Sequence, residues 1–307
     1  MGLIQKIKSQ NFTWTHITNP NLGSIEYLRQ NHNFHPFNLD DCLAPTLRAK
    51  IEQYDNYSFI VLNFPYFDRN SRAITLSEVD IFIGSDFIIT LNDKKLEPIT
   101  RIFETCQRNE TEREKYIGQG ISYLLYQLLN ELQKYCSPIL NHISQDMQNI
   151  ENQIFNHQER KMVNEILIVK RNIVNFRKSV QSHKNVMKKL SSAQNVIFEN
   201  DKMCDYFNNL LEQSKEIWEM LENQKENIEA LHNTNESLIS FKLNSIMKTL
   251  TIISVTLMPL TLVSSTFGMN YIIPFQKQPW GFFFAISLMT IFTLIILSIF
   301  KKKKWLD

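Results

Sequence analysis

Hydrophobic positions divide the chain into three textures. In residues 1–100 they come in short bursts: "YSFIVLNF" (57–64) and "DFIITL" (86–91) are β-branched and aromatic, and turn formers bound both. "SEVDIFIG" (77–84) alternates apolar with polar and closes on Gly84. Such runs predict strands. "GSIEYLRQNHNF" (23–34) predicts a helix capped by Ser24. Together they predict an α/β layer. From about Glu112 the spacing lengthens. Residues 119–158 and 160–198 place apolar side chains three and four apart, which predicts two long helices broken only at Pro138. A third helix starts near Asp201 and meets no proline before Pro259 and no glycine before Gly268. It predicts one rod of nearly 70 residues, about 100 Å long.

The third texture is almost wholly apolar. Residues 250–300 carry one charged side chain, Lys277. Leu250–Met269 and Trp280–Phe300 are each roughly 20 residues long without a charge, enough for a helix to cross a bilayer core of about 30 Å. Trp280 and Trp305 bracket the second span, as interfacial tryptophans do, and "KKKK" follows at 301–304. The positive-inside rule therefore places the C-terminus in the cytoplasm. Two spans return the N-terminus to that side, so the expectation is a multi-pass protein of the cell (inner) membrane with residues 270–279 as its external segment.

Composition adds exclusions. A net charge of +2 over 307 residues gives no basic field for nucleic acid. Cys42, Cys106, Cys136 and Cys204 have no CxxC spacing, so neither a zinc knuckle nor a disulfide framework is expected. The N-terminus lacks the apolar stretch of a signal peptide, and Lys6 spoils a myristoylation pattern. There is no nucleophile–base constellation, phosphate-binding glycine loop or metal-ligand spacing, so the expectation is not an enzyme and no cofactor. His35 beside Pro36 is a lone histidine and reads as structural. Residues 201–249 are acidic through Glu212, Glu216, Glu219, Glu222, Glu226, Glu229 and Glu236. Two readings stand: a solvated coiled-coil face, or groups that attract or sense cations.

Stepping along the first span by three and four gives Asn244, Met247, Thr251, Ser254, Met258, Thr261, Ser265 and Gly268. One face thus carries an amide, thioethers, hydroxyls and a glycine. Close packing of helices through small residues and a pore lining both produce such a stripe. Neither span holds Asp, Glu, His, Lys or Arg, which argues against a proton relay there. What remains is a neutral, hydroxyl-lined path on which an ion keeps its water. Two helices cannot enclose it, so a pore has to form between subunits in a closed ring.

Gly268-Met269-Asn270 at the end of the first span resembles the GMN signature of the CorA-type magnesium/cobalt transporter family. Its setting carries the resemblance: "MPLTLVSSTFGMN", a short loop, one more span, then "FKKKKWL". "HPFNLDDCL" (35–43), "KIEQYDNYSFIVL" (50–62), "YLLYQLLNELQKY" (123–135) and "EILIVKRNIVNFRKSV" (165–180) are similar to the family's cytoplasmic segments. The resemblance implies an α+β cytoplasmic domain, a long helical bundle with a stalk, and two C-terminal transmembrane helices in a funnel-shaped homopentamer. The implied division is an N-terminal α/β domain (1–111), a helical funnel with stalk (112–249), a pore-lining helix (250–269), an external loop (270–279), a second span (280–300) and a basic tail (301–307).

It also implies transport of hydrated Mg²⁺, or Co²⁺ or Ni²⁺, through a filter of Gly268, Met269 and Asn270. Asn270 would meet the metal through its water. Carried-over pore positions are Asn244, Met247, Leu250, Met258, Thr261, Ser265, Gly268 and Asn270; the stripe contains all but Leu250 and Asn270. Pro259 is the expected hinge. Two departures stand out: the loop has Lys277 and no acid, and Asn209 and Asn233 occupy stalk positions where the family has acids. Regulatory metal would then fall to Asp201, Asp205 or Glu212. The alternatives are a Zn²⁺ transporter of the related ZntB group and a non-conducting membrane-anchored scaffold.

Overall fold

The computed structural model describes residues 3–44, 48–192, 201–269, 280–303 and 305, with the side chains of 201 and 202 left aside. The chain divides into two compact units, Met1–Asn233 and Thr234–Asp307. The first is built on a six-stranded sheet. Its strands are β1 (Leu3–Lys8), β2 (Thr13–Thr18), β3 (Lys50–Gln53), β4 (Tyr57–Asp68), β5 (Ala73–Gly84) and β6 (Phe87–Asn92). They lie in the order β1-β2-β6-β5-β4-β3, and β2 with β6 is a parallel pair among antiparallel neighbours.

The β4–β5 hairpin is the long element, in register from Tyr57↔Gly84 to Asp68↔Ala73. Asp68 makes its turn: one carboxylate oxygen accepts from the Asn70 N–H at 3.0 Å, the other from the Ser71 hydroxyl at 2.7 Å. Arg72 leaves the turn at φ 52°, in the left-handed region. Residues 57–65 are buried without alternation, because both faces of the sheet are covered. On one side Phe59, Val61 and Phe82 pack with Leu28 and Leu39 from two short helices, α1 (Leu22–Asn31) and α2 (Pro36–Asp41).

The other face meets the helical layer: α3 (Glu97–Arg108), α4 (Glu110–Ile117), α5 (Ile121–Phe155), α6 (Glu159–Val180) and α7 (His183–Ser191). Asn172 on α6 binds the edge of the hairpin with both ends of its amide, accepting from Ile74 N–H at 3.0 Å and donating to Arg72 O at 2.9 Å. His183 bonds Asn63 O at 2.8 Å. Then comes α8 (Asp201–Gly268), a single helix of 68 residues. Within the first unit its buried positions are Phe207, Leu210, Ser214, Ile217, Leu221, Gln224 and Ile228, spaced alternately by three and four as in a coiled-coil seam. Arg177 on α6 pairs with Glu222 and stacks on Trp218 at 5.1 Å.

Local expectations need four corrections. The cap of α1 is Asn21, whose side chain accepts from the Ser24 N–H; Ser24 is the third helical residue and answers with its hydroxyl, a reciprocal capping box. Pro138 lies inside α5 without ending it. The second long helix stops at Val180, and α7 follows from His183, whose ring is anchored on the hairpin; residues 193–198 of that expected helix lie outside the described residues. Strands β1 and β2 were not anticipated, since their polar-rich sequences form strands by pairing with each other and with β6. His35 caps α2, its Nδ1 accepting from Phe37 N–H at 3.3 Å, which accords with a structural role.

Burial disfavours the charged form of several titratable groups in this unit. Burial pushes the Asp80 carboxyl well above the usual carboxylate range, and nearby Glu78 and Asp41 add to the effect. Burial also lowers His16 and His183 from 6.5 to about 4, against a smaller opposing pull from a hydrogen bond. At these two histidines the unfolded chain therefore binds more protons than the folded one between pH 6.5 and about 4, whereas the raised Asp80 acts with the opposite sign. The histidines' contribution is complete above 6.5 and is lost as pH falls through that window, at most roughly 3 kcal/mol each. His183→Gln should therefore show a smaller drop in thermal midpoint between pH 7 and pH 5 than the native protein. An equal drop in the variant would remove His183 as its cause.

Candidate functional site

In the second unit α8 continues from Thr234 to Gly268, and α9 (Gly281–Lys302) follows. Both helices contain an 18-residue window of high mean hydropathy, 1.8 in α8 and 2.5 in α9, of which only 6% is buried. A soluble core helix of such composition would be covered by protein. These are covered by almost none, so a bilayer is the solvent that fits them. Every backbone N–H and C=O in hydrocarbon must be satisfied internally, which a continuous helix achieves. Trp280 is 75% exposed at the head of α9, Trp305 stacks on Phe300 at its foot, and Lys301, Lys302 and Lys303 are exposed beside it.

Within its apolar length α8 has two different faces. Ile252, Thr256, Leu260, Val263 and Phe267 are wholly or partly covered. Asn244, Met247, Leu250, Ser254, Met258, Thr261, Ser265, Gly268 and Met269 are exposed, and Thr251 is half-buried. At about 100° per residue the two sets are centred roughly half a turn apart. The predicted stripe thus points away from the face the chain itself covers. Leu250 and Thr251 sit at its two edges, which is why stepping by three and four reached only one of them. On α9 the covered positions, Gly281, Ala285, Leu288, Met289, Thr293, Ile296, Leu297 and Phe300, likewise fall on one face.

The threonine hydroxyls of the stripe are committed as donors to their own helix. Thr251 Oγ1 donates to Met247 O at 2.7 Å, and Thr261 Oγ1 lies within 3.0 Å of Leu257 O and 2.8 Å of Met258 O. Their oxygens are left to accept. Between them Pro259 has no N–H to give Val255 O, which thins the ladder at that level. Gly268 closes α8, and a Cβ built there would meet nothing within 4 Å among the described residues. Met269 N–H donates to Thr266 O at 3.3 Å in a tightened last turn.

Other predicted positions are less informative. Asn270, the loop 271–279 with its Lys277, and Lys304 lie outside the described residues, as does the side chain of Asp201. Asp205 is exposed; Glu212 is exposed and paired with Lys215 at 2.6 Å. Among the described residues no three His, Cys, Asp or Glu side chains gather as a metal site. Sequence reasoning also missed the buried glutamines Gln133 and Gln224, because a glutamine on a helix gives no sign of which face it takes.

Fold and site together define a membrane protein with an α/β and helical unit outside the bilayer, from which one uninterrupted helix runs on as the first of two spans. The family described as CorA-like Mg²⁺ transporter protein matches residues 9–302, and the chain belongs to it. It is 27% identical to the cobalt/magnesium transport protein CorA of Thermotoga maritima over 96% of this chain and 83% of that one. Its fold superimposes on the CorA magnesium transporter of Methanocaldococcus jannaschii with a TM-score of 0.82 at 21% identity, covering 97% and 93% of the two chains. The ZntB cytoplasmic domain of Vibrio parahaemolyticus covers 78% of this chain and 99% of its own at a TM-score of 0.55 and 13% identity, a shared fold only.

If the exposed stripe is wet in the assembled protein, cysteines placed on it will react with a small charged methanethiosulfonate. In a Cys204→Ser background, Ser254→Cys and Thr261→Cys should react at least about tenfold faster than Val263→Cys, since a thiol in apolar surroundings keeps its proton. Equal rates at the three positions would mean that the stripe faces lipid.

Proposed function

We propose that copies of this chain form a closed ring, a homopentamer, whose α8 helices enclose a path for hydrated divalent cations, Mg²⁺ or Co²⁺, moving down their electrochemical gradient. The observation that carries the reading is the uncharged stripe on the uncovered face of α8. The division of the chain into an α/β domain, a helical funnel with stalk, two spans, a loop and a basic tail follows the family pattern. The exposed lysines after α9 support a cytoplasmic position for both termini, and the positive-inside rule gives the direction.

The chemistry suits the ion. Mg²⁺ gives up its water reluctantly, so a path that reads the hydrated ion costs less than one that strips it. Shell water presents protons outward. Hydroxyls of Thr251 and Thr261, whose own protons are held by helix carbonyls, present lone pairs to meet them. A ring of Asn270 amide oxygens would do the same at the outer end, where Gly268 and Met269 complete the filter. Gly268 leaves room there for neighbouring copies to approach. Met247, Leu250 and Met258 are apolar and exposed, and would narrow the path to a dewetted gate that opens as the helices bend near Pro259. No coupling ion is needed: an inside-negative potential supplies a divalent cation with roughly 4.6 kcal/mol per 100 mV.

Ion-resolved flux into indicator-loaded liposomes tests the reading. Native protein should carry Mg²⁺ and be inhibited by cobalt hexaammine, which imitates the hydrated ion. Asn270→Ala should lower flux by about tenfold or more, ~1.4 kcal/mol of barrier. Zn²⁺ flux that requires a pH gradient would favour the ZntB-type alternative, and a bilayer that stays ion-tight under every condition would favour the scaffold. For the regulatory acids, changing Asp201, Asp205 and Glu212 together to alanine should weaken inhibition of uptake by internal Mg²⁺; unchanged inhibition would remove them from that role.

A further inference from the structure

The seam between α5 and α8 is apolar at Phe207, Leu210, Ile217, Leu221 and Ile228, but two glutamines interrupt it from opposite sides. Gln133 of α5 reaches into α8, where its Nε2 donates to Leu210 O at 3.1 Å and to Ser214 Oγ at 2.7 Å. Gln224 of α8 reaches into α5, where its Nε2 donates to Leu140 O and Ser144 Oγ, both at 2.9 Å. Each amide thus spends both N–H groups on one carbonyl and one serine of the partner helix. Each is nearly sealed from solvent, at 2% and 5% exposure, and each leaves its Oε1 buried without a protein partner. Leucine at these two positions would satisfy the seam's apolar pattern and leave no polar atom stranded.

What the glutamines add is discrimination. A seam of apolar side chains spaced by three and four offers nearly the same contacts after a slip along its length. The two clamps are satisfied at one register only, because any other leaves four buried N–H groups without acceptors. They act from both helices at two levels, so they resist axial sliding and rotation together. The consequence reaches beyond the seam because α8 has no break between Asp201 and Gly268. The stripe from Met247 to Gly268 lies on this same helix.

We propose that Gln133 and Gln224 are positioning residues for transport: a pair of reciprocal amide clamps that fix the register of α8 against α5 and thereby the placement of the stripe from Met247 to Gly268. The link to transport rests on the pore reading above; the register claim does not.

The test measures both. Spin labels at Lys134→Cys and Asn208→Cys, in a Cys204→Ser background with one labelled copy per assembly, give the α5–α8 distance by pulsed electron paramagnetic resonance. The native seam should give one narrow distance. Gln133→Leu with Gln224→Leu should keep or raise the thermal midpoint yet broaden or shift that distance, by up to about 5 Å for a slip of one helical turn. Mg²⁺ flux in the same double variant should change by about fivefold or more, an effect of ~1 kcal/mol. Gln133→Leu combined with Ser214→Ala should match Gln133→Leu alone, since both remove one clamp. An unchanged distance in the double variant overturns the register claim. A changed distance with native flux overturns the link to transport. No flux from the native protein defeats the pore reading instead, and the distance then judges the register claim by itself.

Discussion

The backbone hydrogen-bond ladder of α8 is the constraint on which the rest depends. Within hydrocarbon a chain must close its own N–H and C=O groups, and a helix is the local way to do so. The same helix runs back into the first unit, where it is packed on α5 through its three-and-four seam. One continuous helix thus contributes residues to both units. Pro259 is the one residue along it that cannot donate to the ladder, and it lies within the membrane length beside exposed Met258.

The side chains of α8 change character along the rod because their solvent changes. Between Phe207 and Ile228 the buried face is apolar, with serine and glutamine at a few places, and the opposite face is charged. Exposed glutamates there are what water allows, and Glu212 with Lys215 and Glu222 with Arg177 show two of them engaged in ion pairs. Beyond Lys248 no charge remains on the helix, since an ion in hydrocarbon is expensive wherever it is not hydrated. Hydroxyls are the compromise. They bond back to the helix when they have no other partner, and their oxygens stay available to water.

The first unit is tied together across its sheet. Its sheet is covered on both faces, α6 is fixed to the β4–β5 hairpin through Asn172, and α7 through His183. Burial there disfavours the charged forms of two histidines and an aspartic acid, which ties the unit's stability to pH. Among the described residues nothing in that unit gathers three His, Cys, Asp or Glu side chains into a metal site.

Much of this was legible in the sequence, for reasons that are local. Two long runs without charge, the absence of glycine from Asp201 to Gly268, and the β-branched bursts at 57–64 and 86–91 each state a preference that one segment satisfies alone. So did the stripe from Asn244 to Gly268, because helical periodicity is set by the backbone. Other features depended on a partner outside the segment's own periodicity. Strands β1 and β2 exist because they pair; Asn21 displaced Ser24 as the cap because the reciprocal bond needed both; the second long helix ended where His183 found Asn63 O across the fold. Which glutamines are buried belongs to the same class. An amide is at home in water or in a seam, and only the arrival of a second helix with a carbonyl and a serine at the right height decides between them.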